Sequence, residues 1–167
     1  MSESDRAAVE RQIGRIPRAF RLVVRRCPWG QPAVTEQEPY DVDGAPFPTT
    51  FYLTCPSLVA AVARLEAAGG VERWSASAAG DPVLRASVTE AADAQRAIRR
   101  ELAEGRTGAD GGASLELGIA GSSNPLQLKC LHAHVAFALA RPGYVLGERV
   151  AAEIDPLFPE DRCCSAE

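Results

Sequence analysis

The sequence predicts an α+β fold in which a small antiparallel sheet, formed by the N-terminal half, packs against three or four helices. Two observations carry this prediction. Side chains alternate with a period of two in the N-terminal half, whereas apolar residues recur at three- and four-residue steps in the C-terminal half. With 167 residues, 46% of them hydrophobic, the chain has the size and composition of one domain. We therefore expect a single globular domain over residues 1–158 and a disordered tail over residues 159–167.

The first elements are predicted to be a helix and a half-buried strand. A polar segment of about twelve residues follows Ser2 and ends at Gly14, and this pattern is typical of a helix with a glycine stop. From Ala19 onward apolar and polar residues alternate, which indicates a strand with one buried face. This strand leads directly into Cys27-Pro28.

The second strand is predicted over Thr49 to Thr54 and leads into Cys55-Pro56. A loop rich in proline and glycine separates the two strands, and Asp43-Gly44 is the expected hairpin turn. The two strands would then pair in an antiparallel hairpin, and each would end at a cysteine followed by a proline.

The C-terminal half is predicted to be mainly helical. One helix begins at Pro56 and ends at Gly69-Gly70, and a longer one begins at Asp81-Pro82 and ends at Gly105. The last strong helix runs from Pro125 to about Ala140, with Asn124 as its N-cap. Two short elements complete the prediction, namely a strand over Leu115 to Ala120 and a helix beyond Gly147.

The charge of the chain limits its partners. A formal net charge of −4 argues against a general nucleic-acid binder, because phosphate binding requires a concentrated cationic surface. The charge is uneven, however, since residues 1–30 contain seven arginines and three acidic residues. An alternative interpretation is therefore a metal-free interaction module whose basic N-terminal face binds an acidic protein partner.

The N-terminus lacks the pattern of a secretory signal, and no apolar stretch reaches the length of a membrane span. We therefore expect a cytoplasmic protein without a membrane partner. Thiols are kept reduced in the cytoplasm, so the five cysteines indicate metal ligands, reactive groups or small core residues before they indicate disulfides.

Three cysteines and one histidine are the candidate ligands of a zinc ion. Cys27 and Cys55 follow the two predicted strands, and Cys130 lies on the last predicted helix, close to His132 and His134. The chain has no Cys-x-x-Cys pair, so the convergence of these residues depends on the fold. Three thiolates and one imidazole would form a closed tetrahedral shell, which is typical of a structural zinc site.

The residues alone leave the fourth ligand open between His132 and His134. On a regular helix Cys130 and His134, four residues apart, lie on one face, whereas Cys130 and His132 can share an ion only if the helix start is irregular. An interpretation without metal is also open. In it His132 is a core histidine bonded to a backbone carbonyl, His134 is partly exposed, and the cysteines are small core residues.

The loop before the last predicted helix is a candidate anion site. Free amides at a helix N-terminus attract anions, so Gly121, Ser122 and Ser123 are predicted to bind a small anion together with Lys129. Lys129 is the one lysine among eighteen basic residues, which suggests a role that a guanidinium group does not fill.

The alternative from the enzyme class uses the same segment. Cys130 or Cys55 would be a nucleophile, activated by His132 and assisted by Lys129. Beyond this alternative the sequence identifies neither a catalytic residue nor a reaction.

Several stretches of the chain resemble one bacterial family. They occur in the order and at roughly the distances typical of the family called domain of unknown function 501, and they read RQIGRIPRAF, RRCPWGQPAV, DGAPFPTTFYLTCP, ARLEAAGG and KCLH. The resemblance covers about residues 8–150 and implies a cytoplasmic protein without an established activity.

The resemblance also bears on the candidate ligands. Cys27, Cys55, Cys130 and His132 match the family pattern, as does Lys129, whereas the family usually has an apolar residue in place of the second histidine. At position 55 the family carries either Cys or His, an interchange expected of a metal ligand. The resemblance therefore favours His132 as the fourth ligand, at a distorted helix start.

Overall fold

The computed structural model of the protein describes residues 3–161 and Cys163. In this part of the chain a three-stranded antiparallel sheet of order β1-β2-β3 packs against six α-helices, which confirms the predicted α+β class. The strands are β1 (Phe20–Arg26), β2 (Pro32–Gln37) and β3 (Phe51–Leu53). The helices are α1 (Glu3–Ile13), α2 (Pro56–Ala67), α3 (Gly70–Gly80), α4 (Pro82–Ala103), α5 (Leu131–Ala140) and α6 (Val145–Ala151).

The central strand β2 is absent from the sequence-based prediction, because no alternation of polar and apolar residues marks it. Five of its six residues are buried. β1 pairs along one edge, with Phe20 opposite Gln37, and β3 pairs along the other, with Val34 opposite Leu53. A strand that is paired on both edges and covered on both faces has no solvent side, so the period of two disappears.

The predicted turn at Asp43-Gly44 forms, but it lies in the long connection between β2 and β3. The Gly44 amide donates to the Asp41 carbonyl at 3.0 Å, and the Asp41 side chain accepts from the amides of Asp43 and Ala45. Gly44 has φ +79°, a conformation that glycine adopts without steric cost. β3 is shorter than the strand predicted over Thr49 to Thr54.

α2 and α4 begin at the predicted prolines, and α4 has the expected cap, since the Asp81 carboxylate accepts from the Val83 amide at 2.8 Å. α3 is missing from the prediction. The Gly69-Gly70 pair ends α2 as expected, but α3 starts at once, and its buried residues other than Trp74 are small. Only one large apolar residue marks its buried stripe, and glycines stand at both ends, so the sequence there predicts a stop and not a new helix.

The strand predicted over Leu115 to Ala120 is wrong, because this segment forms two 3₁₀ turns, Ala113–Glu116 and Ile119–Gly121. The physical reason is that side chains of α4 bind this segment. Gln95 donates to the Gly118 carbonyl at 2.5 Å, and Arg96 donates to the Glu116 carbonyl at 2.9 Å. These carbonyls are therefore paired with side chains instead of a neighbouring strand.

The last long helix begins at Leu131 instead of Pro125, and this correction decides the geometry of the site. Asn124, the predicted N-cap, closes an isolated turn. Its Oδ1 accepts from the amide two residues further on at 3.1 Å, and its carbonyl accepts from Ser122 Oγ at 2.6 Å. Beyond this turn α5 begins, with Cys130 as its N-cap. The cysteine that was predicted on the helix therefore lies just before it.

α5 is the central helix of the molecule and packs against β3, α2 and α6. Seven of its ten residues are buried, including Phe137, whose ring lies edge-on to Phe51 and Tyr144. α6, the short helix expected beyond Gly147, begins already at Val145. Gly147 allows α6 to approach α5 closely, since a Cβ there would lie 2.6 Å from the His134 carbonyl oxygen.

None of the described helices is both long enough and apolar enough to span a membrane.

The C-terminal segment has no regular secondary structure. After Ala151 the described residues form neither helix nor strand, and they include 159–161 and Cys163 of the predicted tail. Arg162 and residues 164–167 of that tail lie outside the described residues, so the domain boundary at 158 stays a prediction.

Candidate metal site

Three side chains from two helices meet at the start of α5. Cys130 is the N-cap and has an extended backbone (φ −163°, ψ 123°), His132 lies in the first turn, and Glu66 lies in the last turn of α2. One ligand atom from each residue, a sulfur, a nitrogen and a carboxylate oxygen, lies within 4.8 Å of the other two. Because Cys130 precedes the helix, residues two apart in sequence can face the same point.

Glu66 is held by the backbone of α5. Its Oε1 accepts from the Leu131 amide at 2.6 Å and lies 3.1 Å from Nδ1 of His132. A carboxylate is favoured there, because the first amides of a helix have no intrahelical partner. Sequence reasoning missed Glu66. One signal could have identified it. An acidic residue in the last turn of a helix is unfavourable against the helix dipole, so its presence there indicates a partner elsewhere in the fold.

His132 has an acceptor at each ring nitrogen. Nε2 lies 3.1 Å from the Val59 carbonyl oxygen, which can only accept, so Nε2 carries a hydrogen. A hydrogen bond with Cys130 raises the pKa of His132 to about 9 against the opposing effect of burial, and the charge of Glu66 contributes to the rise. The Nδ1 side of the ring therefore attracts a proton or another cation.

A cavity of about 390 Å³ opens beside Cys130 and His132. β3 forms an apolar and aromatic wall with Phe51, Tyr52 and Leu53, and Lys129 lies at the same opening as the two site residues. Among the described residues no acidic side chain lines this cavity. It is therefore suited to a small ligand with an apolar part and an anionic group.

Comparison with known proteins assigns the chain to a family. The family model described as protein of unknown function (DUF501) matches residues 23–152. The chain belongs to this family. The matched segment extends from β1 through α6 and contains Glu66, Cys130 and His132. None of the curated proteins and none of the solved structures matches the chain.

The other two predicted ligands of this DUF501 chain lie outside the group of three. Cys27 follows β1, and its Sγ lies 4.0 Å from Sγ of Cys163. Cys55 is buried at the N-cap of α2. The structure thus brings together Cys130 and His132 from the predicted set, and it adds Glu66. The four-ligand set of Cys27, Cys55, Cys130 and His132 stays a prediction.

His134, the alternative fourth ligand, lies in the core of the DUF501 domain. It is 2% exposed instead of partly exposed, and its Nδ1 lies 2.6 Å from the Tyr144 hydroxyl. Burial lowers the pKa of His134 to about 3 and raises the pKa of Tyr144. His134 is therefore a neutral imidazole that shares a hydrogen bond with the Tyr144 hydroxyl, and it has the role of a bonded core histidine.

The predicted anion loop of the DUF501 chain is largely bonded to itself. The Gly121 amide donates to the Gly118 carbonyl at 3.0 Å, the Ser122 amide donates to the Ile119 carbonyl, and Ser123 is exposed. Lys129 donates from Nζ to the Gly121 carbonyl at 2.8 Å, which uses one of its three hydrogens. Of the four predicted residues, Lys129 is the one at the cavity beside Cys130.

Among the described residues, three of the seven arginines of the basic N-terminal face are paired with acidic residues. Arg21 lies 2.6 Å from the Glu36 carboxylate and also contacts Glu38, and Arg26 lies 2.8 Å from Asp5. Arg18 likewise pairs with acidic side chains in the turn before β3. These pairs reduce the cationic field that an acidic partner would meet.

Proposed function

We propose that this DUF501 protein is a metal-binding domain that holds zinc between Glu66, Cys130 and His132 and binds a small anion in the adjoining cavity. The observation that carries the proposal is the approach of the three ligand atoms to within 4.8 Å of one another. Thiolate, imidazole and carboxylate are the three side-chain types that zinc prefers, so the donor set fits the ion.

The surroundings of His132 support a metal ligand. Metal-bound histidines usually donate their second ring N–H to a carbonyl or carboxylate, which fixes the tautomer. The Nε2 of His132 does so to Val59 at 3.1 Å and leaves Nδ1 directed at the Glu66 carboxylate. A nitrogen lone pair facing a carboxylate is repulsive unless a proton or a metal ion lies between them.

The number of ligands favours an open site. A structural zinc site is closed by four protein ligands, whereas three protein ligands leave one position for water or a bound molecule. The cavity beside Cys130 and His132 would give a ligand access to that position. A small anion fits this cavity, since Lys129 lines it and no acidic side chain does among the described residues.

Elemental analysis of the purified protein tests the proposal. We expect near-stoichiometric zinc in the unmodified chain and its loss in Glu66→Gln, Cys130→Ser and His132→Gln. Cys27→Ser is the matched control and should keep the metal, because its thiol lies outside the group of three. Loss of zinc in Cys27→Ser and Cys55→Ser would support the four-ligand set instead. A protein that takes up no zinc on reconstitution overturns the proposal.

The anion is tested separately on the zinc-loaded protein. Titration with acetate or phosphate should give saturable binding that Lys129→Met weakens while the zinc content stays the same. Binding that is unchanged by Lys129→Met would show that Lys129 does not bind the anion. No binding at all would overturn the anion part of the proposal and leave only the metal part.

A cysteine-dependent enzyme is the second candidate, and one observation favours it. His132 is hydrogen-bonded to Cys130, so an imidazole base lies beside a thiol, as a cysteine nucleophile requires. In that case metal-free protein should show one thiol, Cys130, that is alkylated much faster than the others near neutral pH. Alkylation at similar slow rates for all thiols would exclude this candidate.

A further inference from the structure

Two cysteines from distant parts of the chain meet away from the candidate metal site. Cys27 follows β1, Cys163 lies in the C-terminal segment, and the two are separated by 136 positions in sequence. Their Sγ atoms lie 4.0 Å apart. Both side chains are buried, with 6% exposed for Cys27 and 7% for Cys163. When one of two thiols enclosed together is oxidised, the other is placed to form a disulfide with it before a thiol of another protein can.

The distance between the sulfur atoms can close without a change of fold. A disulfide requires the sulfurs to approach to about 2 Å, and rotation about χ1 of one cysteine moves its sulfur by that order. Among the described residues, the segment from 152 to 161 and Cys163 itself belong to neither helix nor strand. Because no helix or strand ladder holds this segment, local opening can admit a small oxidant.

We propose that Cys27 and Cys163 form an oxidative modification site, at which a hydroperoxide converts the two thiols into an intramolecular disulfide. One thiolate attacks hydrogen peroxide and breaks its O–O bond, which gives a sulfenic acid and hydroxide, and the hydroxide takes up the proton that the thiol lost to give water. The other thiolate then attacks the sulfenic sulfur and displaces hydroxide, which takes up a proton to give a second water. Overall, two thiols and one hydrogen peroxide give one disulfide and two waters.

The bond would join the C-terminal segment to the end of β1. Cys27 lies within residues 23–152, which match the family model, whereas Cys163 lies C-terminal to them. The disulfide would therefore link the family domain covalently to the C-terminal segment. It would also close a loop of more than a hundred residues, and long loops restrict the unfolded chain most. Oxidation should therefore stabilise the folded protein and suppress opening of the C-terminal segment.

Peptide mapping of the full chain after oxidation tests the inference. The protein is treated with a small excess of hydrogen peroxide, blocked with N-ethylmaleimide and digested without reductant. We expect a peptide pair linked through Cys27 and Cys163, and a thermal midpoint raised by roughly 5 to 15 °C that returns on reduction. Cys27→Ser and Cys163→Ser should lose both the linked pair and the shift.

Two variants serve as matched controls. Cys55→Ser removes another buried thiol, and Cys164→Ser removes the sequence neighbour of Cys163. Each should keep the link between Cys27 and Cys163 and the reversible shift. A link that moves to another cysteine, a link that joins two chains, or oxidation that stops at unlinked sulfenic or sulfonic acids overturns the inference. All of these outcomes are independent of zinc binding.

Discussion

Two histidines only two positions apart have opposite electrostatic environments. His132 lies beside the Cys130 thiol and the Glu66 carboxylate, which raise its pKa to about 9. His134 is enclosed in the core beside a phenol, and burial lowers its pKa to about 3. The difference arises because α5 begins at Leu131, so one ring faces the cavity end of the helix and the other faces α6.

The first prediction concerns the protonation of these two rings. Since the chain contains two histidines, nitrogen NMR can assign them with one variant, His134→Asn. In metal-free protein the signal of His132 should titrate near pH 9, and that of His134 should remain neutral down to about pH 3. Added zinc should abolish the titration of His132 and leave His134 unaffected. Two rings that both titrate near pH 6.5 would contradict the described environments.

The second prediction is the effect of His134 on stability at acidic pH. Its folded pKa of about 3 lies below the unfolded value, so the unfolded state binds a proton that the folded state does not. The free energy of unfolding should therefore fall as the pH decreases from about 6.5 toward 3, by up to about 1.4 kcal/mol per pH unit. Urea unfolding at several pH values measures this slope. His134→Asn should show a smaller slope, and an equal slope would argue against a buried neutral histidine.

At the residue level the sequence identified part of the candidate site. It singled out Cys130 and His132, because thiol and imidazole side chains are chemically distinctive. Glu66 was not distinguished, since one carboxylate among 22 acidic residues has no special spacing. Its unfavourable position at the end of α2 is a local signal, but its role depends on the packing of α2 against α5, which is a tertiary contact.

At the level of elements, prediction succeeded where local signals act and failed where tertiary contacts decide. α1, β1, α2 and α4 follow from caps, stops and periodicity, and Asp81 caps α4 as expected. β2 is buried on both faces and therefore lacks an alternating pattern. The start of α5 was predicted too early, because Asn124 caps an isolated turn whose carbonyls are bonded by Ser122.

The third prediction concerns the contact between α5 and α6. Gly147 has no room for a side chain, since a Cβ would lie 2.6 Å from the His134 carbonyl oxygen and 2.7 Å from Ala138 Cβ. Gly147→Ala should destabilise the fold by roughly 1 to 3 kcal/mol in urea unfolding, because the two helices must separate. Gly80→Ala is the matched helical control, as nothing lies within 4 Å of its Cβ position. A cost that is no larger for Gly147→Ala than for Gly80→Ala would contradict the close packing.

At the scale of the whole molecule, Arg99 connects the helical half to the loop of the sheet. Its side chain is 1% exposed and donates to the Phe47 carbonyl at 2.7 Å and to the Ser114 carbonyl at 3.2 Å. Burial lowers the pKa of Arg99, and the charges of Tyr40 and Asp110 oppose that effect. The contact joins α4 to the segment before β3, in addition to the packing of α5 on the sheet.

The fourth prediction follows from this connection. Arg99→Ala removes the donors from two carbonyl groups and leaves a cavity in place of a large buried side chain, so the free energy of unfolding should fall by roughly 3 to 5 kcal/mol. Urea unfolding followed by circular dichroism measures the change. Arg100→Ala is the neighbouring control, because the pair of Arg100 with Glu116 is exposed and contributes little. Its unfolding midpoint should stay close to that of the unmodified protein. Equal losses in the two variants would mean that the charge of the arginines, and not burial, stabilises this part of α4, whereas a loss confined to Arg99→Ala would show that its buried hydrogen bonds hold α4 to the loop before β3.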